Sequence, residues 1–235
     1  MRIVLHMVLV VVLLSGGLDS TTALAMAAEK GHDIVALTFD YGQRHDKEIE
    51  SARQVAEHYG VKRHIVITLD MGRYLNSSLT DASQDVPADG AERDGPAAIP
   101  NTYVPGRNIV FLSVASAIAE GIGADSIVIA ANAVDYSGYP DCTPEFVEAF
   151  QETLAVGTKR GVDGRPVQVD APLLRMAKAD IVREAARLGA PLELTWSCYN
   201  GGEKACGACD SCRLRLRGFK EAGEMDPLEY ERRDD

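Results

Sequence analysis

Leu13-Leu14-Ser15-Gly16-Gly17-Leu18-Asp19-Ser20-Thr21-Thr22 ends an apolar run, Val8 to Leu14, that fits a strand buried on both faces. The run stops at Ser-Gly-Gly, and an alanine-rich helical segment begins near Ser20. Two adjacent glycines permit a positive φ and let the backbone approach a ligand without Cβ interference. A helix N-terminus aims N–H groups and partial positive charge at the same spot, and Ser15 and Ser20 add hydroxyl donors. The stretch reads as a receptor for phosphate oxygens, with an ordinary strand-to-helix turn as the plain alternative. It lacks Gly-Lys-Ser/Thr, so it is not the loop that holds β and γ phosphates. It is not a Gly-x-Gly-x-x-Gly dinucleotide fingerprint either.

Outward from the loop, strand-like and helix-like segments alternate. Ile34 to Phe39 and His64 to Thr68 read as strands around a helix from Asp46 to Tyr59, whose apolar face carries Ile49, Ala52, Ala56 and Tyr59. Ile109 to Ile122 is a long apolar helix leading into a strand from Ser126 to Ala130. Pro144 opens another helix, and Lys178 to Leu188 is amphipathic with Gly189 as its stop. This rhythm predicts an α/β fold: a doubly wound, mainly parallel sheet, Rossmann-like, with helices on both faces and ligands at the carboxyl ends of the strands. Asn76 to Pro105 breaks the rhythm with four prolines and little periodicity, as a lid over a site would. The expected organisation is a phosphate-binding α/β domain over 1–190 and a small C-terminal segment over 191–235 packed on it.

The chain has 235 residues, 46% hydrophobic and 25% charged, within the range of one large globular domain. A net charge of −11 argues against a broad surface for nucleic acid. Arg213, Arg215, Arg217 and Lys220 make the one obvious basic cluster, read here as a solvated helix face. Met1 to Leu14 mimics a signal peptide. The run is short for a bilayer span and feeds into the glycine loop, so a cytoplasmic protein with no membrane partner is expected, with Met7 as an alternative start.

Four of the five cysteines form Cys198-x7-Cys206-x2-Cys209-x2-Cys212. Four thiolates with no open position describe a closed, structural zinc site. An iron–sulfur cluster is the competing reading, and nothing else in the chain asks for redox chemistry. Cys142 stands apart and reads as an inert buried thiol. Lys178 falls in the first turn of its helix, where a cation is disfavoured unless a bound anion offsets the dipole.

Ser15-Gly16-Gly17-Leu18-Asp19-Ser20 after an N-terminal strand resembles the loop of the PP-loop ATP pyrophosphatases, which grips the pyrophosphate of ATP while a substrate oxygen attacks the α-phosphorus. Phe39-Asp40-Tyr41-Gly42-Gln43-Arg44, Val104-Pro105-Gly106-Arg107-Asn108, Asp135-Tyr136-Ser137-Gly138-Tyr139-Pro140-Asp141-Cys142 and the cysteine cluster extend the likeness. Together they resemble, within that superfamily, the 7-cyano-7-deazaguanine synthase family over nearly the whole chain. The segment from Asp135 to Cys142 is the most specific part, because other PP-loop enzymes lack it.

The resemblance implies a ligase that converts 7-carboxy-7-deazaguanine, ammonia and ATP to the nitrile, a precursor of queuosine, through adenylation of the carboxylate and then of the amide. It implies small-molecule substrates, no direct nucleic-acid partner and a homodimer. Leu14, Ser15, Gly16, Gly17, Leu18, Asp19, Ser20, Thr21, Thr22, Ala23 and Leu24 would hold ATP, with Asp40 and Tyr41 near its adenosine part. Asp19 would order the loop or a Mg²⁺ ion on the phosphates, and Ser20 and Lys178 would contact them. Arg107 would pair with the substrate carboxylate or the phosphates. Asn108, Asp135, Tyr136, Tyr139 and Asp141 would meet the deazaguanine, Asp135 also taking a proton from ammonium. A tRNA-thiolating PP-loop enzyme, which shares the loop and a cysteine cluster, is the alternative reading.

Overall fold

Val10 to Leu13 alternate between two cores, and this one strand organises the molecule. In the computed structural model, which describes residues 8–87, 99–134 and 138–232, β1 (Leu9–Leu13) is central in a five-stranded, all-parallel sheet. The others are β2 (Asp33–Asp40), β3 (Arg63–Thr68), β4 (Ser126–Val128) and β5 (Gln168–Asp170), in the order β3-β2-β1-β4-β5. β1 pairs with β2 from Leu9↔Asp33 to Leu13↔Leu37, and with β4 from Val10↔Ser126 to Val12↔Val128.

Val10, Val12 and Leu14 face one apolar layer, while Val11 and Leu13 face the other. The first layer is covered by α1 (Leu18–Glu29), α2 (Lys47–His58), α6 (Lys178–Arg187) and α7 (Asp210–Ala222), through residues such as Leu24, Val55, Ile181 and Phe219. The second is covered by α3 (Arg107–Ile122) and α4 (Pro144–Gly157), through Leu112 and Phe150, with the four-residue α5 (Lys159–Val162) behind α4. Small residues Ala23, Ala25 and Ala27 let α1 lie close on the sheet. The chain builds outward from β1 to β3, then crosses back through α3 to β4. The carboxyl ends of β1 and β4 therefore flank the crevice where such sheets bind ligands. Among the described residues no helix is long and apolar enough to cross a membrane.

Three expectations need correction. The strand at Ser126 stops at Val128 rather than Ala130, and β5 was not anticipated because three residues, Gln-Val-Asp, carry no period. Much of the segment from Asn76 to Pro105 belongs to the body: Leu79 and Val104 are core residues, Ser77 and Ser78 are buried, and Arg44 donates to the carbonyls of Ser78 and Gln84, both at 3.0 Å. Its central part, 88–98, lies outside the described residues. Arg215 does not join Arg213, Arg217 and Lys220 at the surface. It is 2% exposed, with Nε and Nη2 on the Asp226 carboxylate at 2.8 and 2.9 Å and Nη1 on Thr195 Oγ1 at 2.7 Å. A buried guanidinium requires this full set of acceptors.

Candidate active site and metal centre

Between β1 and α1 the loop is fastened by its own side chains. Ser15 Oγ and Ser20 Oγ lie 3.0 Å apart, the Ser15 N–H donates to Ser20 Oγ, and Ser20 Oγ donates to the Gly17 carbonyl. The two glycines do different work. Gly16 has φ 78°, and a Cβ there would sit 2.5 Å from Ala52 N and Glu48 O on the backbone of α2. Gly17 has φ −78° in extended geometry and serves as N-cap of α1. No side chain caps that helix, which leaves first-turn N–H groups directed at the crevice. From the far side, the Trp196 N–H donates to the Gly16 carbonyl at 2.9 Å.

Lys178 is buried at the start of α6, and its Nζ bonds both Asp19 carboxylate oxygens at 2.7 and 2.8 Å. The first turns of α1 and α6 are thus joined at the phosphate loop. Gly218 of α7 makes room for this lysine: a Cβ there would approach Lys178 Cγ to 2.4 Å.

A cavity of about 300 Å³ opens in front of the loop. Leu14, Ser15, Gly17, Leu18, Asp19, Ser20, Tyr41, Arg107, Asn108, Tyr139 and Lys178 line it, so it brings together most of the residues expected for ATP and base. Thr21, Thr22, Ala23 and Leu24 form the buried body of α1 behind it, and neither Gly16 nor Asp40 is in its wall. Asp135 and Tyr136 lie outside the described residues. Asp141 stands behind the wall, where its Oδ2 accepts the Asn108 N–H at 3.0 Å and so caps the start of α3. Asn108 Nδ2 donates to the Asp141 carbonyl at 2.9 Å and to Cys142 Sγ at 3.2 Å. Burial, with the Asp141 charge behind it, pushes the Cys142 thiol up to about 11, a neutral group at ordinary pH. Tyr139 OH lies 2.7 Å from Thr102 Oγ1.

Arg107, first residue of α3, stands over the Tyr41 ring at 5.9 Å, with Nη1 3.5 Å from its hydroxyl. Burial raises the Tyr41 pKa. Glu48 on α2 also lines the cavity, and burial raises its pKa against the opposing fields of His45 and Arg107. Residue-type reasoning passed over Glu48, because an acid in the first turn of a helix is the commonest of residues there. It also passed over Trp196, although a lone tryptophan two residues before the first clustered cysteine was a usable signal.

The Sγ atoms of Cys198, Cys206, Cys209 and Cys212 all lie within 4.8 Å of one another. A tetrahedral ion with M–S bonds of about 2.3 Å needs sulfurs about 3.8 Å apart, and Cys206 and Cys212 are at 3.9 Å. Backbone N–H groups of Asn200 and Cys206 point at Cys198 Sγ, and those of Ala208 and Cys209 at Cys206 Sγ. Such donors stabilise thiolates. The donor set fits a closed metal site. Gly207 sits where a Cβ would collide with the Arg232 carbonyl, so the C-terminal tail closes directly over the knuckle.

The profile of the family described as queuosine biosynthesis protein QueC matches residues 9–223. The chain belongs to the QueC family. QueC-family relatives of similar length are named 7-cyano-7-deazaguanine synthase. The Acetivibrio thermocellus protein is 54% identical over 220 residues, covering 94% of this chain and 96% of its own. A Desulfitobacterium hafniense protein, named 7-cyano-7-deazaguanine synthase 2, is 56% identical with 94% and 92% coverage. The Thermoplasma acidophilum protein is 54% identical over 222 residues with the same two coverages.

Proposed function

We propose that this chain makes 7-cyano-7-deazaguanine from 7-carboxy-7-deazaguanine, ammonia and two molecules of ATP. The observation that carries the reading is a cavity walled by an uncapped helix start, the Asp19–Lys178 pair and Arg107, in a chain whose relatives bear that synthase's name. ATP lies with its phosphates on Ser15 to Ser20. Lys178 supplies positive charge to the pyrophosphate, and Asp19 orders the loop or would hold a Mg²⁺ ion that neutralises phosphate charge. Arg107 pairs with the base's carboxylate, a match its planar fork favours.

Carboxylate is a poor electrophile, so its oxygen first attacks the α-phosphorus and pyrophosphate leaves. Ammonia then attacks the acyl carbon and AMP leaves, giving the amide. The amide oxygen then attacks the α-phosphorus of a second ATP in the same pocket, and pyrophosphate leaves. Loss of AMP and protons leaves the nitrile. Water must be excluded while the acyl-adenylate exists, and the aromatic walls serve that end.

Cys198, Cys206, Cys209 and Cys212 hold one structural zinc ion, whose role is folding free energy for the C-terminal segment. The working state we propose is a cytoplasmic homodimer acting on small molecules, with no direct nucleic-acid partner. Incubation of the purified chain with ATP, ammonium and the carboxylated base tests the function. Two AMP per nitrile are expected by chromatography and mass detection, and one AMP when the amide is supplied. ADP as the main nucleotide product, or refusal of the amide, would overturn the mechanism.

A further inference from the structure

Among the described residues the cavity wall carries two carboxylates, Asp19 and Glu48. Asp19 is taken by Lys178. Asp141 is taken by the start of α3 and has no place in the wall. The Glu48 carboxylate has no hydrogen bond or ion pair with any described residue, and Glu48 stands half-buried in the cavity wall. A carboxylate that faces the cavity with no partner among the described residues is open to N–H donors brought by a ligand.

We infer that Glu48 accepts two N–H bonds from the amino-amide edge of the substrate's pyrimidine ring and so selects a guanine-type base over other planar carboxylic acids. This deepens the proposed function and rests on it. The surroundings fit a flat ligand with unlike ends. Phe39 and Phe111 stack at 4.1 Å, Tyr41 stands edge-on to Phe111 at 5.4 Å, and Arg107 offers a fork to an anion. A carboxylate matched to adjacent ring and exocyclic N–H groups completes the complementarity, since charge-assisted paired bonds fix both orientation and identity. Ammonium is the poorer occupant, because the Arg107 charge acts on the same carboxyl. Glu48 is fixed relative to the nucleotide as well: its carbonyl lies against Gly16, so a base bound to it is held beside the phosphate loop.

The test is isothermal titration with 7-carboxy-7-deazaguanine and with its analogue lacking the 2-amino group, in the metal-loaded wild type, Glu48→Gln and Glu48→Asp. The wild type should prefer the parent by about a hundredfold or more, as a site that accepts a ligand's N–H rejects the analogue lacking it. Glu48→Gln should bring the two bases to within a few-fold while the affinity for ATP alone stays at the wild-type value. Glu48→Asp, which keeps the charge but withdraws it by one methylene, should fall between. Circular dichroism and metal content establish the fold of each variant, and the Asp variant carries the test if the Gln variant does not fold. Undiminished discrimination in the variants would overturn the inference. So would an effect confined to ATP affinity, or to the KM for ammonium. A wild type that binds neither base would instead sink the proposed function itself.

Discussion

The phosphate loop and the cysteine segment are built on opposite plans. The loop is closed by bonds among its own residues, Ser15 to Ser20, and by glycine geometry against α2. The cysteine segment is tied both within itself and across to α2 and the residues that lead into it. His45 Nε2 bonds the Cys198 carbonyl at 3.0 Å, Lys47 Nζ bonds Gly202 O and lies 4.2 Å over the Trp196 ring, and Arg215 pins 192–195 to Asp226. One end of that web reaches the loop through Trp196, and another reaches Lys178 through Gly218. The lesson is a division of labour. The loop closes on itself at the cavity, while the cysteine segment supports its outer side through the Trp196 bond to Gly16.

The strongest way to break this comparison is to remove the metal site. Cys206→Ser or Cys209→Ser should lose bound metal and lower the unfolding midpoint, because binding free energy of order 10 kcal/mol is folding free energy in such segments. Turnover should fall in parallel, since Gly16 loses its outer support. Metal analysis, thermal unfolding and AMP release on the same samples check this. Full activity in a metal-free variant would separate the two regions. A visibly coloured iron–sulfur chromophore would replace zinc.

Loop variants should give the opposite signature. Asp19→Asn and Ser20→Ala should each cut turnover by roughly a hundredfold or more, the usual loss for a group that acts in the transition state. Removing one partner of the Asp19–Lys178 pair should cost only about 1–3 kcal/mol of stability. Metal content should not change. Near wild-type turnover in both variants would mean that this loop is not the ATP site.

How much of this was legible depends on the range of the forces involved. The β-α rhythm, the loop and the four cysteines are local patterns: short apolar runs, a Ser-Gly-Gly turn, clustered thiols. Arg215 was misread because its neighbours Arg213 and Arg217 are solvated and its partners, Asp226 and Thr195, come from other turns of the chain. Asp141 was expected at the base, yet it caps α3, a contact across 33 residues. Glu48 and Gly218 have significance only after α2 and α7 have docked, so no window of sequence could single them out. Adjacent glycines at 16 and 17 read as equals, whereas only Gly16 has a positive φ.

Gly218→Ala sharpens the comparison, because it touches the loop's chemistry from within the metal-bearing helix. The new methyl would meet the Lys178 stem at 2.4 Å, so the lysine or α7 must shift. Overpacking of this kind costs about 1–3 kcal/mol. A displacement near 1 Å at a catalytic group lowers turnover up to about a hundredfold. The expected result is reduced kcat with full metal loading and little change in KM for the base. Unchanged kcat would show that Lys178 is positioned from α6 alone.

The smallest effect is a pH dependence of stability seated under the loop. Thr38 Oγ1 donates to the Leu14 carbonyl at 2.6 Å and lies 2.7 Å from His64 Nε2, so the His64 Nε2–H is the donor that completes the chain. Burial, aided by Arg53, lowers the His64 pKa, and burial lowers that of His32 as well. A depressed histidine pKa means that the unfolded chain takes up the proton first as pH falls. The stabilisation is therefore full above the unfolded value near 6.5 and declines below it, levelling off once the folded histidines titrate. Thermal midpoints measured from pH 7.5 down to about 5.5 should fall in the wild type. His64→Gln keeps a donor near Thr38 but removes the titrating group, so its midpoint should fall less steeply, with the His32 share remaining. An unaltered slope in that variant would place the acid sensitivity elsewhere, and protonation of the four thiolates would then be the first alternative.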